Sequence, residues 1–90
     1  MLHVKVLSSF YVSQLDVTLL SLQGPEGLSI YDGKDILRED GERYRNLGFV
    51  LVDPAIYSIQ HNIANLKIAD NFPKCEDAYL VDKIDSEKDH

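Results

Sequence analysis

Apolar and polar residues alternate with a period of two along most of this chain, the pattern of half-buried strands. Leu2, Val4 and Val6 alternate with His3 and Lys5, which predicts a first strand with three aliphatic side chains on one face. Ser8 and Ser9 break the pattern, and Phe10, Tyr11 and Val12 follow as a short second β-prone segment. Val17, Leu19 and Ser21 alternate against Thr18, Leu20 and Leu22, so this strand is expected to bury parts of both faces. Two half-apolar stretches then flank Gly24-Pro25-Glu26-Gly27, where proline presets φ and the glycines permit positive φ. That arrangement predicts a β-hairpin running into Leu28, Ile30 and Tyr31.

Asp32-Gly33 is a second turn signal. Residues 34–46 are the most charged stretch, and their periodicity fits either a short helix to Arg38 with a loop or a polar hairpin. Residues 48–52 read as a strand that Asp53-Pro54 ends or bends, and residues 56–60 and 65–69 as two more. His61-Asn62 is the turn between those two. From Pro73 the signals change. Proline suits a first helical position, Glu76 and Asp77 favour the positive end of a helix dipole, and Ala78, Leu80, Val81 and Ile84 can share a face. The expected fold is therefore mainly β, a small β-sandwich or flattened barrel of about seven short strands with one short C-terminal helix. One domain spans residues 1–84, with a polar, frayed tail at 85–90.

Composition narrows the chemistry. Ninety residues with 44% hydrophobic content allow one modest core. Fifteen acidic against nine basic side chains give a net charge of -6, which repels nucleic-acid phosphates and anionic lipid headgroups and suits docking to a basic protein surface. A lone cysteine, Cys75, can form no internal disulfide, so the cytoplasm or another reducing compartment is expected. Lys74 is its only adjacent cation, and Glu76 and Asp77 oppose thiolate formation. The amino terminus resembles neither a signal nor a transit peptide, and no run reaches the length needed to insert in a membrane.

No catalytic constellation accompanies these features, and a non-catalytic protein without cofactors or metal is expected. His3, His61 and His90 lack metal-ligand spacing. Asp35, Glu39, Asp40 and Glu42 could hold calcium, but the ligand alternation of a calcium loop is missing and Lys34, Arg38 and Arg43 intervene. A solvated mixed-charge loop fits better. The serines lack a nucleophile elbow, and Gly33-Lys34-Asp35 places an acid where a phosphate-binding loop needs a hydroxyl.

The order of segments resembles the N-terminal β-sandwich domain of the ε subunit of F-type ATP synthases. Residues 2–7, 10–12 and 17–22, the turn at 24–27 and residues 28–33 follow that family's opening strands and Gly-x-Glu-Gly turn. Residues 66–70 and Cys75-Glu76-Asp77 stand for its last strand and acidic helix start. The family's Leu-Pro-Gly-His-Ala-Pro-Leu run keeps only Gly33 and Leu37, and residues 38–60 match as generic strands. About half the chain is covered. The resemblance implies a domain that clamps the γ subunit and touches the membrane rotor ring, peripheral to a membrane complex. It carries contact roles to Glu26, Tyr31, Gly33, Lys34 and Leu37, with turn-forming and core packing as the alternative and the better reading for Gly33 and Leu37. With the acidic stretch added, the residues assigned to partner contact are Glu26, Tyr31, Lys34, Asp35 and Glu39. The competing expectation is a stand-alone acidic interaction or inhibitor module, viral, phage or accessory in origin, on a basic surface of its target. A β-sheet edge could also pair two copies into a homodimer.

Overall fold

The alternation at the amino terminus builds the longest strand, β1 (Leu2–Val12), with Val4 and Val6 buried and His3 and Lys5 exposed. A computed structural model describes residues 1–25, 27–50 and 55–84. A bulge at Leu7 shifts the register, so the two segments expected around Ser8 form one bent strand. A turn with Asp16 at φ 51° leads back into β2 (Val17–Gln23), where Thr18, Leu20 and Leu22 face the core and Leu19 faces out.

The hairpin expected at residues 24–27 does not form. β2 pairs with β1 on one side and with β6 (Ile63–Ala69) on the other, and the chain beyond Gln23 enters a 3-10 turn at Ser29–Tyr31 instead. Gly24 serves close packing here: an added Cβ would lie 3.0 Å from the Tyr31 hydroxyl and 3.1 Å from Val4. Tyr31 is drawn into the core, which requires the chain to dive rather than reverse.

Of the two readings of residues 34–46, the polar hairpin is the one formed. β3 (Lys34–Arg38) turns through Gly41, at φ 93°, into β4 (Arg43–Tyr44), closed by the Arg38 amide on the Glu42 carbonyl at 2.8 Å. β5 (Asn46–Phe49) follows, and the strand expected at 56–60 is instead a helix, α1 (Ala55–Gln60). Asn62 at φ 56° donates its amide to the Ile59 carbonyl and ends that helix in a left-handed cap. The Asp53-Pro54 bend, Glu26 and the tail from residue 85 lie outside the described residues.

The expected C-terminal helix is corrected to a strand, β7 (Asp77–Asp82), which lies between β1 and β3. Ala78 and Leu80 are buried while Tyr79 and Val81 are half-exposed, a period of two that a vacant central position in the sheet rewards. Two flanking ladders outweigh the helix-start signals of Pro73, Glu76 and Asp77 in so short a segment. Ile84, expected on the buried face, is exposed.

The seven antiparallel strands form one sheet in the order β4-β3-β7-β1-β2-β6-β5. Its marginal strands β4 and β5 are separated in the chain by Arg45 alone, so they stand within about 7 Å of each other. The margins therefore meet and the sheet rolls into a flattened barrel, with residues 43–49 serving as one bent strand shared by both margins. Side chains stitch the seam. The Asn46 amide donates to Asp35 Oδ1 at 3.1 Å, and Lys83 Nζ reaches Asp35 Oδ1 at 2.9 Å and the Asn46 carbonyl at 2.7 Å. Leu20, Leu22, Ile36, Leu66, Ile68 and Phe72 fill the interior.

Candidate interaction surface

Three connections gather at one end of the barrel because strand direction alternates around it: residues 13–16 between β1 and β2, 39–42 between β3 and β4, and 70–76 between β6 and β7. Together they carry six carboxylates, Asp16, Glu39, Asp40, Glu42, Asp70 and Glu76, against the single ammonium of Lys74. This end is thus strongly acidic, with Arg38 offsetting one of its carboxylates.

The loops are held firmly. Thr18 Oγ1 donates to the Asp70 carbonyl at 2.7 Å and accepts the Phe72 amide at 2.8 Å, which seats Phe72 as a plug in the barrel. Arg38 lies over the Phe72 ring and donates to the Pro73 and Lys74 carbonyls at 2.9 and 3.2 Å. Its third contact, Asp40 Oδ2 at 2.6 Å, neutralises one carboxylate. The Glu42 amide, followed by Arg38, holds the Asp40 carboxyl below its usual range. Tyr11 donates to Asp16 at 2.6 Å, and that bond raises the phenol. Glu42, Asp70 and Glu76 have no ion-pair partner among the described residues. Nor do the described residues place three or more metal-ligating side chains together, so the carboxylates form a field rather than a cage.

The residues assigned to partner contact from sequence do not converge. Tyr31 is 1% exposed, and its hydroxyl, without a hydrogen-bond partner among the described residues, is pushed up to about 12 by burial. Asp35 is buried at the seam, where it also faces Arg43 at 3.6 Å. Lys34 is half-buried and pairs with Asp82 at the opposite end, beside an open depression of about 340 Å³ lined by Met1, Leu2, Ile30 and Leu80. Leu37 is half-buried in β3, and Gly33 takes a turn φ of 69°. Of the four that are described, Glu39 alone lies among the acidic loops, accepting the Asp77 amide at 3.1 Å.

Sequence reasoning did not assign Asp16, Asp40, Glu42, Asp70 and Glu76 to partner contact, although it placed Asp40 and Glu42 in a solvated loop. Their common signal was position, since each sits in a turn at the same end of successive antiparallel strands, but only the strand order makes that readable. Cys75 is buried, and burial pushes its thiol up. No helix among the described residues is long and apolar enough to cross a membrane. No protein-family model, curated protein or solved structure matches this chain.

Proposed function

We propose that this chain is a non-catalytic protein-interaction domain whose acidic barrel end docks on a basic surface of a partner protein. One observation carries the reading: three separate loops put six carboxylates at one end with a single lysine among them. Rigid support from Thr18, Phe72 and Arg38 favours docking, because a pre-ordered charged surface loses little entropy on binding. Charge of this kind speeds encounter with a basic partner and makes it sensitive to salt.

The finer proposal, a rotor-stalk domain like that of the F-type ATP synthase ε subunit, rests on the resemblance of segment order. It requires the partner to be a γ-like stalk. Capture on immobilised protein, compared with a triple variant Glu42→Gln, Asp70→Asn, Glu76→Gln, tests the general reading. Partners released by the variant and by salt support it; partners indifferent to both defeat it. Co-purification with a membrane ATPase distinguishes the rotor-stalk form from a stand-alone module.

A further inference from the structure

The far half of β1 has a side with no paired strand among the described residues. β7 pairs with β1 over residues 2–5, and the Val6 amide donates to the Glu76 carbonyl at 2.9 Å, but among the described residues no strand occupies that side of residues 8–12. Phe10 is 65% exposed and Tyr11, on the opposite face, is 36% exposed, whereas Ser9 is half-buried and its hydroxyl donates to the Phe72 carbonyl, so the open part of this stretch is at Phe10 and Tyr11. Such an edge presents unpaired N–H and C=O groups to any strand that approaches. Proteins ordinarily guard edges with lysine, proline or inward charge, yet residues 6–15 hold none of these.

We propose that this edge pairs with the same edge of a second copy, antiparallel about a two-fold axis at Phe10. A two-fold contact between identical strands is necessarily antiparallel. Centred on Phe10, it sets Ser8 against Val12 and Ser9 against Tyr11, with the two Phe10 rings side by side. The ladder contains no charge, so nothing in it repels. The first charges on either side of the neutral stretch are Lys5 and Asp16, of opposite sign. The same axis brings Lys5 of one copy toward Asp16 of the other, a complementarity that a strand of unrelated sequence would lack.

Sedimentation equilibrium of the full chain over a concentration series tests this, with circular dichroism reporting that each variant is folded. Wild type should show a monomer–dimer equilibrium, and Phe10→Lys should raise its dissociation constant by about tenfold or more. Lys5→Asp should weaken the dimer, and Lys5→Asp combined with Asp16→Lys should restore it. A chain still monomeric at about 1 mM overturns the proposal. So does a dimer indifferent to Phe10→Lys, or one that the charge swap fails to restore. Loss of partner capture by the acidic-loop variant leaves this equilibrium unchanged, so the two proposals fail separately.

Discussion

The two halves of β1 belong to different kinds of surface, although they differ little in apolar content. Before the Leu7 bulge the strand has neighbours on both sides, and its outward residues are tied to them: His3 Nε2 lies 2.6 Å from Asp77, Lys5 3.5 Å from the same carboxylate, and His3 packs on Tyr79. After the bulge β2 is the only paired strand among the described residues, and Phe10 projects into solvent. Residue type alone does not separate a core strand from an edge. Position in the sheet decides: the ladder with β7 stops at Lys5 opposite Asp77, where β7 begins, and the bulge in the β1–β2 pairing follows at Leu7.

The largest effect should come from the seam that lets the first half be enclosed. Asp35→Ala leaves the Asn46 amide and Lys83 without their shared acceptor and should cost about 3 kcal/mol in urea unfolding. A loss below about 0.5 kcal/mol would mean that the barrel does not depend on this closure. Next, Val4→Ala should cost about 2 kcal/mol, whereas Phe10→Ala should change stability by less than about 0.5 kcal/mol. Equal effects at the two sites would erase the contrast between the halves of β1.

Tyr31→Phe should stabilise by about 1 kcal/mol, since it removes a buried hydroxyl that has no partner among the described residues. The same variant has a pH signature. Burial raises this phenol from 10.0 to about 12, so its neutral form supports folding fully below pH 10 and that support is lost as pH rises toward 12. The advantage of Tyr31→Phe should therefore widen over that interval, followed by thermal unfolding. The smallest effect belongs to the exposed network of the first half. The His3 hydrogen bond, with Lys5, lowers the Asp77 carboxyl, so its contribution is present above the ordinary carboxylate range and disappears as pH falls through the lowered value. Asp77→Asn should differ from wild type at neutral pH and converge with it in acid.

The mainly β character and the core positions Val4 and Val6 were legible in sequence from their alternation, whereas residues 17–22 left both faces open and the structure turns Leu19 outward. Residues 77–82 were not. Ala78 and Leu80 fit a helix face as well as a strand face, and β7 is selected by the gap between β1 and β3, information that lies some seventy residues away in the chain. The Gly24–Gly27 signal misled for a related reason: Gly24 is needed for contact with Tyr31, a long-range demand that imitates a local turn. The acidic end was half legible. Total charge announced a negative protein, and the gathering of three distant loops at one end emerged only with the strand order.

The pairing of Leu2 with Leu80 has a practical meaning. The first strand enters and the last strand leaves side by side, at the pole remote from the carboxylate-bearing loops. A fluorophore, surface tether or fused domain joined at either position would leave the acidic pole facing outward, so that an immobilised molecule presents its carboxylates to solution.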